Sequence, residues 1–80
     1  QLLEVEKSIL IIGDVEEGAT VVSKGNIIVI GTIFGSAQAG AAGKSDTFIA
    51  ALGMEPVHLK IGDQEVRPVI GGDYSWAKLS

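Results

Sequence analysis

The fold class this sequence predicts is all-β, built as a stack of short coils. Three observations carry that reading. The first is a repeat: residues 9–25 and 27–43 share one pattern, eighteen residues apart. Ile9-Leu10-Ile11-Ile12-Gly13 aligns with Ile27-Ile28-Val29-Ile30-Gly31, Val15 with Ile33, Ala19 with Ala37, Val21 with Ala39, and Gly25 with Gly43. So short a period points to stacked coils, because one coil alone cannot bury its apolar face. The second is the alternation after each apolar run, Val15, Ala19, Val21 and then Ile33, Ala37, Ala39. It gives each coil about three short strands, one per side of a prism. The third is composition: 46% apolar residues and 11 glycines with only 20% charged residues exclude disorder and supply turns.

Each element follows from local chemistry. Ile9–Ile12 and Ile27–Ile30 are apolar on consecutive positions and bounded by glycine, which reads as strand. Glu16-Glu17-Gly18 and Ser23-Lys24-Gly25 are turn signals, with Gly18 and the Gly25-Asn26 pair able to take positive φ. The third coil is degenerate. An offset of 20 sets Phe48 and Ile49 on Ile28 and Val29, and Val57, Leu59 and Ile61 on Ala37, Ala39 and Ala41. Extra residues around Lys44-Ser45-Asp46 and a corner at Gly53-Met54-Glu55-Pro56 absorb the slip. Thr47–Leu52 contains the helix-favouring Ala50-Ala51-Leu52, but the phase on both sides makes it a strand. Val66 and Val69-Ile70 suggest part of a fourth coil, and residues 74–79 a last strand that caps the stack or lies on its outside. The small residues Ala39 to Gly43 mark a tight corner and a thin wall, or a flat surface for another backbone.

The bulk numbers bound the function. Eighty residues make one domain, 1–80, and a chain this short buries only about 60% of its unfolded surface. With so few charges, some apolar surface is expected to be covered by another chain. A net charge of −4 without a basic stripe argues against nucleic acid. With no cysteine there is no disulfide framework or thiolate metal site, which fits a reducing compartment. No apolar run approaches the roughly 18 residues of a membrane span, so no direct membrane insertion is expected. The chain opens on Gln1 without methionine and reads as a piece of a longer protein.

Candidate chemistry is sparse. Gly40-Ala41-Ala42-Gly43-Lys44-Ser45 resembles the end of a phosphate-binding loop, but the required first glycine is Gln38. His58 is the only histidine, has no acid at ligand spacing, and alternation points it outward. Asp14, Glu16 and Glu17 lack the spacing of a calcium loop. The serines have no local base or nucleophile elbow. No enzyme activity, cofactor or metal is expected. Phe34 stands where the previous coil carries Glu16, so it is either a packing contact with the terminal segment or a protein-binding anchor. Trp76 poses the same alternative.

The ordered set Gly13-Asp14-Val15-x-x-Gly18-Ala19, Gly25-Asn26-Ile27, Gly31, Gly35, Ala37, Ala39-Gly40 and Gly43, with Pro56-x-x-Leu59-x-Ile61, resembles the C-terminal domain of the septum-site-determining protein MinC. The resemblance covers Gln1 to about Ile61. It implies a short right-handed parallel β-helix with triangular cross-section, in coils of about 18–20 residues. It also implies a non-enzymatic cell-division role. The domain would form a homodimer and bind the ATP-bound, membrane-associated ATPase MinD, directing inhibition of FtsZ ring assembly. It would be cytoplasmic, peripheral at the inner face of the membrane, with the family's N-terminal domain absent from this chain. The family's Arg-Ser-Gly-Gln motif would end at Gln1. Its Arg-Gly-x-Ala-His-Ala-Gly stretch reads Phe34-Gly35-Ser36-Ala37-Gln38-Ala39-Gly40 here, with arginine replaced by Phe34 and histidine by Gln38. On the 18-residue period Gln1 shares a side with Ala19 and Ala37, so Gln1, Phe34, Ser36 and Gln38 are the expected partner-binding residues. The apolar dimer surface is expected among Val57, Leu59, Ile70, Trp76 and Leu79. The competing reading is a bactofilin-like structural β-helix that polymerises end to end, since an uncapped stack offers edges to another stack.

Overall fold

The computed structural model describes residues 2–41, 43, 46–55 and 58–78. They form ten strands and no helix: β1 (Leu2–Val5), β2 (Ile9–Ile12), β3 (Thr20–Ser23), β4 (Ile27–Ile33), β5 (Ser36–Ala39), β6 (Phe48–Met54), β7 (His58–Ile61), β8 (Gln64–Glu65), β9 (Val69–Ile70) and β10 (Ser75–Lys78). The coils stack as the repeat predicts. One side is the sheet β1-β3-β5-β7-β8 and the next is β2-β4-β6-β10-β9. The third is a narrow ladder in which Val15 meets Ile33 and Ile33 meets Met54, made where β4 and β6 turn the corner out of the second sheet.

Inward side chains lie directly above one another, coil on coil. Ile9, Ile27, Ile49 and Ala77 form one column. Leu3, Val21, Ala37 and Leu59 form another. Ile27, Ile49 and Ala77 have no exposed surface. Each fully buried isoleucine contributes about 1.5–3 kcal/mol over an exposed one. Branched residues suit these columns because their stiff side chains pack well on a pleated surface.

The corners are held by polar groups. Ser8 Oγ accepts the Asn26 N–H at 2.9 Å, Asn26 Oδ1 accepts the Phe48 N–H at 2.9 Å, and Asp14 Oδ1 accepts the Thr32 N–H at 2.8 Å. Gly31 turns β4 beneath Gly13, where any Cβ would collide with the Gly13 carbonyl oxygen.

Four expectations are corrected. In the first sheet the step from β3 to β5 is sixteen residues, not eighteen: Thr20 pairs with Ser36 and Val21 with Ala37. The second coil passes from Ile33 to Ser36 through only Phe34 and Gly35, where the first uses Glu16 to Ala19. In the third coil the step is twenty-two, not twenty: Ile27 pairs with Ile49, Ala37 with Leu59 and Ala39 with Ile61, and Phe48 lies beside Asn26. The turn after β5, with Gly40 at φ 63° and Gly43 at φ 93°, takes up the added length. Val69 and Ile70 do not begin a parallel fourth coil. They form β9, which runs antiparallel to β10. The register also separates Ala37 from Ala19, because Ala37 follows Val21 and points inward.

The strand expected over Thr47–Leu52 is β6. The last strand caps the stack, β10 running antiparallel along β6 with Ala77 opposite Ile49. Gln1, Val57 and Leu79 lie outside the described residues.

Candidate partner-binding faces

The outer surfaces of the two sheets differ in chemistry. On the first sheet, alternate residues point outward in two rows: Thr20, Ser36 and His58, and Val22, Gln38 and Lys60. Ser36 and Gln38 are therefore brought together, two positions apart on one strand and half-buried. Gln38 Nε2 donates to the Gly62 carbonyl at 2.6 Å, which ties β5 to the turn between β7 and β8. Glu65, on β8, lies 2.8 Å from His58 Nδ1. His58 is exposed as alternation predicts, and its acidic neighbour arrives through the hairpin. These groups, with Asp63, line a shallow groove. Phe34 does not share this groove; it occupies the corner leading into β5, is 37% exposed, and its N–H donates to the Val15 carbonyl at 2.7 Å.

The second sheet is apolar on its outer face. Leu10, Ile28, Ala50, Trp76 and Val69 form one row across five strands, with Ile12 and Ile30 paired beside it. Ile12 is 82% exposed and Leu10 59%. Trp76 is half-buried and meets Tyr74 with ring centroids 5.5 Å apart and planes tilted by 43°. So extended an apolar face is unusual for the free surface of a small domain.

Of the residues expected at a dimer surface, Trp76 lies on this face. Ile70 is exposed at the capped end, but pairs with Ser75 and so lies off the outer row. Leu59 is a correction: at 2% exposure it is a core residue in the column of Val21 and Ala37 and offers nothing to a partner. Leu10, Ile12, Ile28, Ile30 and Leu52 were not among the expected residues. Their signal was the unbroken apolar runs, since a strand that is apolar on consecutive positions is apolar on both faces.

Among the described residues no group of three or more His, Cys, Asp or Glu side chains gathers to hold a metal ion. Nor is any helix long and apolar enough to cross a membrane.

A three-sided stack of short coils with one polar and one apolar outer face defines a β-solenoid domain. Comparison with known proteins gives it a family. Residues 1–70 match the family profile of the septum formation inhibitor MinC, C-terminal domain, and the chain belongs to that family. It is 48% identical over 63 residues to a probable septum site-determining protein MinC of Geobacillus thermodenitrificans, covering 79% of this chain and 28% of the relative. It is 48% identical over 67 residues to that of Bacillus thuringiensis, covering 84% and 29%. The chain thus matches less than a third of the length of these curated relatives. Among solved structures, a chain of the MinC:MinD cell division protein complex of Aquifex aeolicus superposes with a TM-score of 0.75 at 34% identity, covering 100% of this chain and 80% of that one.

Proposed function

We propose that this domain is an adaptor in septum-site determination, and not an enzyme. It pairs with a second copy through the apolar outer face of the second sheet. It binds a MinD-type ATPase through the side carrying Ser36 and Gln38, with Phe34 at its margin and Gln1 as a further contact expected from the sequence. In that way it brings inhibition of FtsZ assembly to the cytoplasmic surface of the membrane. The observation that carries the reading is the full-length likeness to a chain solved as part of a MinC:MinD complex. The two outer faces support it independently. The apolar row from Leu10 to Trp76 suits the dry core of a homodimer, and the polar groove beside β5 suits a more reversible contact.

The test is cosedimentation of the natural protein carrying this domain with its cognate MinD on lipid vesicles, in ATP and in ADP. Enrichment in ATP alone is expected, and Phe34→Ala and Ser36→Asp each reduce it. Equal recovery with and without MinD in both nucleotides sinks the reading. The bactofilin-like alternative predicts sedimenting filaments from the domain alone. Among the described residues the architecture disfavours it, because each sheet finishes on that side in a two-residue antiparallel strand, β8 or β9, rather than in a parallel edge ready for another stack.

A further inference from the structure

We propose that the β7–β8 hairpin is the element of the first sheet that recognises the MinD-type partner, with Lys60 and Asp63 as its charged contacts and Gln38 as the residue that positions it. This rests on the reading of that face given above. The tip of the hairpin is pinned to two neighbouring residues of β5. The Gly62 N–H donates to the Ala39 carbonyl at 2.8 Å, and Gln38 Nε2 donates to the Gly62 carbonyl at 2.6 Å. A carbonyl can only accept, so the second bond fixes which end of the Gln38 amide faces the turn. The nitrogen is committed to the hairpin, and Gln38 acts on a partner through the turn it holds.

The base of the hairpin is held as well. The Val66 N–H donates to the Leu59 carbonyl at 3.0 Å, and on the outer face His58 Nδ1 lies 2.8 Å from the Glu65 carboxylate. This last contact also decides which charges are left over. Glu65 stands directly across from Lys60 in the antiparallel pair, where opposite charges ordinarily meet. Its carboxylate goes instead to His58, further along the same face. Among the described residues neither Lys60 nor Asp63 takes part in an ion pair. Both are exposed, and both line the groove that Ser36 lines.

Two free charges of opposite sign on a pinned hairpin make a directional pattern. Pinning matters because groups already held in place lose little freedom on binding. The matching partner surface sets a carboxylate against Lys60 and a lysine or arginine against Asp63. A surface of one charge sign would meet one attraction and one repulsion. The order of the two charges, not their sum, is what this face recognises.

The test is cosedimentation of the natural protein carrying this domain with its cognate MinD on lipid vesicles in ATP, with hydrogen exchange followed over residues 62–66. Lys60→Glu and Asp63→Lys are each expected to lower affinity about tenfold, as loss of one interfacial charge pair does, with exchange unchanged. Lys60→Asp combined with Asp63→Lys keeps the net charge and is expected to leave binding weak. Gln38→Glu sets a carboxylate against the Gly62 carbonyl, two acceptors that cannot bond, so exchange quickens and binding weakens together. Gln38→His supplies an N–H donor of similar reach and returns both towards the parent. Weakened binding of Gln38→Glu with unchanged exchange makes Gln38 a direct contact and overturns its positioning role. A charge-exchanged variant that binds like the parent overturns the directional pattern. Full recovery of Lys60→Glu and Asp63→Lys, while Ser36→Asp is lost, overturns the hairpin assignment and leaves the MinD reading standing. No ATP-dependent recovery of the parent overturns both.

Discussion

Asn26 Oδ1 accepts the backbone N–H of Phe48 at 2.9 Å, one coil further along the stack. Its own N–H donates to Ser8 Oγ, one coil back, at 2.9 Å. One residue thus links three successive coils at the corner that leads into the second sheet. Asn26→Ala leaves the Phe48 N–H without its acceptor and is expected to cost about 1 kcal/mol. Urea unfolding at fixed protein concentration measures this, because stability coupled to self-association depends on concentration.

A second prediction concerns close approach of the backbone. A Cβ at Gly31 would collide with the carbonyl of Gly13, so Gly31→Ala forces the first two coils apart. Its expected cost is at least about 2 kcal/mol, in the upper part of the usual range for one substitution. Gly72→Ala is the control, since a Cβ there meets nothing within 4 Å; it should change stability by no more than about 0.5 kcal/mol. The same denaturation series compares them.

The apolar outer face gives a third. Ile30 is 47% exposed and sits between Ile12 and the third coil, away from the core columns. Ile30→Lys should leave the monomer folded while weakening the proposed homodimer by about 2 kcal/mol or more, as loss of a central contact does. Sedimentation equilibrium gives the dissociation constant and circular dichroism the fold. A variant that stays as dimeric as the parent places the interface elsewhere.

Leu59 and Trp76 supply the fourth. Leu59→Ala opens a cavity between Ala37 and the end of the stack and should cost about 2–5 kcal/mol. Trp76→Ala removes part of the outer row and should act chiefly on self-association. Thermal unfolding and sedimentation together separate the two. The assignment of Leu59 to the core fails if its alanine variant is stable and monomeric.

How much of this was legible in the sequence is decided by parity. The step from Ile9–Ile12 to Ile27–Ile30 could be read because both runs are four apolar residues closed by glycine. The step from Val21 to Ala37 could not. Sixteen and eighteen differ by two, and a two-residue shift keeps every inward position inward. Hydrophobic alternation cannot detect such a slip, and the same holds for twenty against twenty-two in the third coil. The antiparallel return of β10 left no mark either, since Ser75-Trp76-Ala77-Lys78 alternates alike in both directions. Ser36 and Gln38 share one outward face by strand periodicity alone, whereas the separation of Phe34 from them depends on a corner two residues shorter than its predecessor.

The capping strand also sets an order of events. Every parallel contact joins a residue to one sixteen to twenty-two positions away, so each coil closes a loop of similar length and similar entropic cost. During synthesis the first coil emerges without a neighbour and waits for the second, and the second for the third. Strand β10 finds its place only after β6 is laid down, because Ala77 pairs with Ile49. Without residues 75–78 the third coil therefore has a bare edge in the second sheet, and the docking of β10 completes that wall.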